Sequence, residues 1–148
     1  MGYIIRSALE SDALGINEVS KHLGYSELSS SDASSKLEEL LTSNLDHVFV
    51  AELDGQIIGW LHLIYARRLA SDNFLEICGL VVSPDFRGRG VGKHLVQYAQ
   101  ENFDGNLRVR CNELRVESHK FYEAIGFNCS KVQRVFQHAH NKLLNRDS

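Results

Sequence analysis

Residues 76–93 constrain this chain more than any other stretch. They read Glu-Ile-Cys-Gly-Leu-Val-Val-Ser-Pro-Asp-Phe-Arg-Gly-Arg-Gly-Val-Gly-Lys. The apolar run Leu75–Val82 predicts a buried strand. Pro84 breaks it, because proline has no N–H for a ladder. From Val91 the period becomes helical, with Val91, Leu95, Val96 and Ala99 on one side. The first N–H groups of a helix have no partner within it, and the helix dipole adds partial positive charge there. Gly88, Gly90 and Gly92 allow φ > 0 and close approach to the backbone. Arg87, Arg89 and Lys93 add formal charge. Together these features predict a site for a phosphate or pyrophosphate.

Three cradles compete for the stretch. A P-loop requires Ser or Thr after Gly-Lys and a Gly five residues before the second Gly. Here His94 follows Lys93, and Arg87 stands in place of the first Gly. A dinucleotide fingerprint requires a third Gly where Lys93 stands, in an early βαβ unit. The third pattern is Gln or Arg, two residues, Gly, one residue, then Gly or Ala. Arg87-Gly88-Arg89-Gly90-Val91-Gly92 fits it and resembles the acetyl-CoA pyrophosphate loop of the GCN5-related N-acetyltransferase (GNAT) superfamily.

A second segment supports that resemblance. Arg115–Phe127 carries Phe121-Tyr122 and Gly126-Phe127, and is similar to the closing helix of the same family, with Arg115, His119 and Asn112 at places several members share. The resemblance implies acetyl-CoA as co-substrate and direct transfer of its acetyl group to an amine. It implies coenzyme contacts from Leu80, Val81, Val82, Arg87, Gly88, Arg89, Gly90, Val91, Gly92, Lys93, Asn112 and His119. Tyr122 would protonate the departing thiolate, which a phenol of pKa ~10 can do. Glu76, an acid in an apolar strand, would be the base on the acceptor amine, directly or through ordered water; burial would raise its pKa. Other members carry the acid two residues later, where this chain has Cys78. If Gly79–Val82 splays from its neighbour, its free amides would pair with pantetheine, and one could hold the thioester oxygen. Gly79 would ease a bulge there.

Bulk properties narrow the alternatives. A chain of 148 residues predicts one domain, 1–148. The net charge of −3 gives no general pull on nucleic acid or anionic membrane. No apolar segment approaches the ~18 residues of a membrane span, and the N-terminus lacks a signal-peptide pattern. Cys78, Cys111 and Cys129, odd in number and without a CxxC, read as buried reduced thiols of a cytoplasmic protein. His138 and His140 have no acidic or cysteine partner at ligand spacing, so no metal is expected. His62, beside Trp60, would line the acceptor pocket or cap the core, with the core favoured; Arg108 and Arg110 share a face that would meet an acidic acceptor or, the favoured reading, be solvated.

In order, the pattern predicts a strand at 3–6 and a helix from a Ser11-Asp12 cap to Leu23, with Leu14, Ile16, Val19 and Leu23 inward. Gly24-Tyr25 ends it, a Ser-rich loop fills 26–35, and a second helix covers 36–45 with Leu37, Leu40 and Leu41 inward. Strands at 47–53 and 56–66 flank an Asp54-Gly55 turn. On the latter, Ile58, Trp60, His62 and Ile64 share one face and Ile57, Gly59, Leu61 and Leu63 the other. Strand 74–82, helix 91–103, a strand at 107–111, helix 117–125 and a strand at 131–138 complete the chain. The fold class is α/β (α+β in some schemes): a single-domain GNAT-like mixed, mostly antiparallel sheet with helices on both faces. The chain is thus expected to be a cytoplasmic N-acetyltransferase, monomer or homodimer, whose acceptor is an amine-bearing small molecule or peptide, without nucleic acid or membrane as partner. Two other readings are a non-catalytic acyl-CoA-binding module or sensor, and a nucleic-acid binder using the Arg-Gly turn; the acidic net charge weighs against the second.

Overall fold

The computed structural model describes residues 2–21 and 28–140. The chain divides into two compact units, Met1–Arg110 and Cys111–Ser148. The first holds a five-stranded sheet in the order β1 (Ile4–Ser7), β2 (Asp46–Leu53), β3 (Gln56–Ala66), β4 (Phe74–Val82), β5 (Leu107–Val109). Neighbours are antiparallel except β4 and β5, which run parallel. Helices α1 (Ala13–Ser20) and α2 (Ser30–Thr42) lie between β1 and β2 in the chain, and α3 (Val91–Asn102) between β4 and β5. The mixed, mostly antiparallel sheet is the expected one.

Each face of the sheet has its own apolar layer. Val48 and Val50 of β2, Ile57 of β3 and Val81 of β4 cluster with Ala13 and Val19 of α1 and Leu37 of α2. Trp60 packs against this cluster and donates its indole N–H to Ser20 Oγ at 2.8 Å. On the other face α3 brings Val91, Leu95, Val96 and Ala99, all buried, as its periodicity predicts. A Cβ on Gly59 would stand 2.9 Å from the Val81 carbonyl oxygen and 3.4 Å from Leu95, so glycine is what lets α3 settle there. Leu95 is fully enclosed, worth about 2–3 kcal/mol of apolar burial. Phe49 meets Tyr98 edge to face at 5.0 Å between centroids.

Two bulges adjust which face each side chain meets. Ala51 pairs with Gly59 and Glu52 with Ile57, so Ile58 is the extra residue. Strict alternation is therefore lost at the start of β3, and Ile57 joins the α1 cluster instead of siding with Leu61. On β4, His62 pairs with Gly79 and Leu63 with Ile77, so Cys78 is the extra residue. The expected common face of Glu76, Leu80 and Val82 is broken there.

Other expectations change as well. Residues 30–35 are helical rather than loop, because Ser29 caps α2 by accepting from the Asp32 N–H at 3.1 Å. Leu14 is exposed, and Ala13 takes the inward place. Leu23 and the Gly24-Tyr25 helix end lie outside the described residues. Asp12 does not cap α1 with its side chain. Its carboxylate instead takes two hydrogen bonds from Arg6, at 2.7 and 2.9 Å, and the Leu9 N–H at 2.7 Å. Residues 131–138 form no strand and are exposed, so the edge expected there is absent. Cys78 and Cys129 are exposed rather than buried, and Cys111 is half-buried.

In the second unit, α4 (Val116–Ala124) ends in a Schellman turn. Gly126 has φ +104°, its N–H donates to the Glu123 carbonyl, and the Phe127 N–H donates to that of Tyr122 at 2.9 Å. The Tyr122 and Phe127 rings close the turn at 5.4 Å between centroids.

The Arg6–Asp12 pair makes an acid-side prediction. Hydrogen bonds from Arg6 hold the Asp12 carboxyl below the usual carboxylate range, against burial, which pushes it up. A depressed folded pKa stabilises above the unfolded value of about 3.9 and is lost as pH falls through the folded one. Asp12→Asn should therefore lower the melting temperature at pH 7, and the gap to the unaltered protein should narrow below about pH 4 in a thermal-melt series.

Candidate active site

The glycine-rich turn takes the form its sequence requires. Pro84–Phe86 is a single 3-10 turn closed by the Phe86 N–H on the Ser83 carbonyl. Gly88 and Gly90 then adopt φ +75° and +83°, the left-handed region that L side chains avoid. Gly90 is the N-cap of α3, and the first intrahelical bond there is from the His94 N–H to the Gly90 carbonyl at 2.9 Å. The N–H groups of Val91, Gly92 and Lys93 precede that bond and have no helical acceptor. Arg87 leads into the turn, and the Arg89 guanidinium lies over the Phe86 ring at 5.3 Å. The Tyr3 hydroxyl hydrogen-bonds His94 Nδ1, tying the first turn of α3 to the residue before β1.

The strand leading to this turn is half unpaired. β5 pairs with β4 only at Leu75, Glu76 and Ile77. Beyond that point the described residues give β4 a ladder partner on the β3 side alone. The Ser83 N–H donates to the Ile58 carbonyl at 2.8 Å, so Ser83 faces β3. Alternation then turns the Val81 backbone toward β3 and those of Leu80 and Val82 toward the open edge. Val81 also buries its side chain in the core. β5 ends at Val109, so the described residues give Gly79–Val82 no partner on that edge.

Lower on β4 lies a polar group set in an apolar strand. Glu76 is 8% exposed. Its Oε1 accepts from Arg110 at 2.7 Å, while Oε2 is enclosed and meets no donor among the described residues. An enclosed carboxylate oxygen without a donor is costly and is a ready acceptor for an incoming N–H. The carboxylate in turn raises the Arg110 pKa through that hydrogen bond. One strand further, His62 Nε2 stands 2.7 Å from Asp46 Oδ1. Burial pushes the Asp46 carboxyl up, but hydrogen bonds from His62 and Ser43 leave it below the usual value. Between these pairs is Cys78, exposed as a residue, whose thiol is pushed up by partial desolvation and by the charges of Glu76 and Asp46, against Arg110. A thiol held protonated is a poor nucleophile, which speaks against a covalent role.

A cleft of about 650 Å³ opens between α1, the Asp54-Gly55 turn and Ser83–Asp85. Asp12, Glu18 and Asp85 line it with no cationic side chain, so it is unfavourable to a phosphate.

The other expected site residues belong to the second unit. Asn112 Oδ1 accepts from the Leu114 N–H and its carbonyl accepts from the Arg115 N–H, both at 2.9 Å. The same carbonyl lies 2.9 Å from His119 Nε2. Asn112 and His119 thus shape the approach to α4. Tyr122 is on α4, its ring against Phe121 and Phe127. Among the described residues no group of three His, Cys, Asp or Glu is placed to hold a metal ion, and no helix is long and apolar enough to cross a membrane.

Sequence reasoning missed three participants. Asp46 has no motif, and its pairing with His62 depends on the β2–β3 register. Arg110 pairs with Glu76, and Arg108 lies over the Phe74 ring at 4.2 Å, so neither is merely a solvated charge. The alternation of Arg108 and Arg110 on one face, opposite a strand carrying Glu76, was the available signal.

The acetyltransferase (GNAT) domain model matches residues 44–129. The chain belongs to this family and carries an N-acetyltransferase domain of its mixed α/β type. Among curated relatives, the N-acetylaspartate synthetase of Xenopus tropicalis is 28% identical over 83 residues, 53% of this chain and 30% of that protein. An uncharacterized N-acetyltransferase of Methanocaldococcus jannaschii is 29% identical over 104 residues, 63% of this chain and 44% of its own. The chain therefore matches less than half the length of these relatives. Among solved structures, the AAC(6')-Iy complex with the bisubstrate analog CoA-S-monomethyl-acetylneamine has a TM-score of 0.78 at 22% identity, covering 95% of this chain and 99% of that one. At that identity the likeness is one of fold.

The φ of Gly90 yields a direct test. Gly90→Ala should cost about 1 kcal/mol of stability, read as a lower urea midpoint with unchanged slope.

Proposed function

We propose that the whole chain works as one acetyl-CoA-dependent N-acetyltransferase domain, moving acetyl directly to a primary amine of a small molecule or peptide within a ternary complex. The observation that carries this reading is a strand unpaired along one edge, running from a buried carboxylate to a helix start with free N–H groups. The coenzyme diphosphate would sit on the N–H groups of Gly88 to Lys93, with Arg87 and Arg89 beside it. The open-edge amides of Leu80 and Val82 suit the pantetheine arm, and one such N–H suits the thioester oxygen as negative charge develops on it. In this reading Asn112 and His119 also contact the coenzyme.

Glu76 serves as the base in this reading. Its unsatisfied Oε2 accepts a proton from the acceptor ammonium, directly or through water. The amine then attacks the thioester carbon, the C–S bond breaks with its electrons on sulfur, and Tyr122 protonates the thiolate. Holding both substrates together supplies much of the acceleration. The names of a relative and a fold neighbour point to acetylated amines of more than one kind: N-acetylaspartate for one, an acetylneamine conjugate for the other. The acceptor proposed is accordingly a small molecule or peptide bearing a primary amine. The three free cysteines suit a reducing compartment, hence the cytoplasm.

The test combines binding and turnover. Coenzyme A should raise the melting temperature, and acetyl-CoA should release free thiol with at least one amine of a broad panel. Glu76→Gln and Tyr122→Phe should each lower kcat by about 10²–10⁴-fold while coenzyme binding persists. Tight coenzyme binding with no turnover on any amine would instead identify an acyl-CoA-binding module.

A further inference from the structure

The proton balance of amide formation asks for more than one proton acceptor. A primary ammonium loses two protons on becoming an amide nitrogen. One leaves before the N–C bond forms, and the second leaves the adduct as the C–S bond breaks. Net, one replaces the proton given to sulfur and the other reaches water. Glu76 can hold one proton at a time, and its Oε1 is already engaged by Arg110.

We infer that His62, held by Asp46, is the second proton acceptor of this site; the inference rests on the function proposed above. His62 is opposite Gly79 in the ladder, and Ile64, two residues on, is opposite Glu76. Diagonal neighbours of this kind are about 7–8 Å apart, a separation that one amine-bearing group can bridge. Gly79 contributes no side chain in front of the ring. Asp46 engages one ring nitrogen at 2.7 Å, and the other has no partner among the described residues. A carboxylate on one nitrogen fixes the tautomer and stabilises the imidazolium that forms. The side chain is 21% exposed, so a proton taken by the ring has a route to water. The groups that face His62 are Asp46 from β2, Glu76 and Cys78 from β4, Arg108 from β5 and Arg110 just after it. The described parts of α1 and α2 meet the same face with Val19, Ser20, Leu37, Leu40 and Leu41. Anions and cations thus alternate across the strip, and Asp46 is the carboxylate committed to the ring.

The experiment measures thiol release from acetyl-CoA against an amine panel that includes aspartate, neamine and spermidine. His62→Gln, His62→Ala, Asp46→Asn and Glu76→Gln are compared with the unaltered protein from pH 5.5 to 9. Far-UV CD and the melting shift produced by coenzyme A show that each variant is folded and binds. His62→Gln should lower kcat by about 10²-fold, leave KM for acetyl-CoA unchanged and remove one ionisation from the pH profile of kcat. Asp46→Asn should lower kcat by about tenfold. Added imidazole should restore His62→Ala and leave Glu76→Gln unaffected. If His62→Gln and Asp46→Asn keep kcat within twofold and keep the pH profile while Glu76→Gln is impaired, the inference is overturned and the proposed function stands. If the unaltered protein releases no thiol with any amine, the proposed function fails and takes this inference with it.

Discussion

The β3–β4 ladder is the constraint on which both ends of the site depend. Eight residue pairs hold the two strands, and the single irregularity falls at Cys78. Before the bulge β4 has a partner on each edge and Glu76 is enclosed. Beyond it one edge is open, and the alternation turns Leu80 and Val82 toward that edge. β5 stops at Val109, so β4 loses its second partner after Ile77 among the described residues, while the β3–β4 ladder continues past the bulge to Val82. Gly59 matters for the same ladder, because any side chain there would strike the Val81 carbonyl and push α3 away. The start of α3 is therefore seated by a glycine on β3.

Electrostatics on the α1/α2 face follow from two diagonal pairs. His62 reaches back to Asp46 and Arg110 reaches back to Glu76. Arg110 offsets the charge of a carboxylate that burial would otherwise penalise, and His62 satisfies Asp46 Oδ1 with a hydrogen bond. Among the described residues, Glu76 Oε2 and the second ring nitrogen of His62 meet no hydrogen-bond partner. Cys78 lies between the pairs, and its raised pKa keeps it from competing as a nucleophile.

Local signals were read well from the chain. The Asp54-Gly55 turn has φ +49° and +82°, because that dipeptide suits the twist of a tight hairpin. The bounds of β3 and β4, the inward stripe of α3 and the Gly126 stop after α4 were legible for the same reason: each is set by neighbours within about one turn. The Ser-rich segment misled, since serines are poor within helices yet good at their starts, and Ser29 with Asp32 begins α2. Val132, Val135 and Phe136 alternate too weakly to identify a strand, and without a ladder partner they stay exposed.

By itself, the sequence determined the glycine turn, the helix it opens and the acid placed in an apolar strand, because dihedral freedom, proline and hydrophobic period act locally. Only the tertiary structure decided which groups Glu76 and His62 would meet. Those partners come from β2 and from just after β5, 16 and 34 residues away in the chain. Which residues of distant strands stand opposite one another depends on register, and one bulged residue moves every side chain beyond it to the other face.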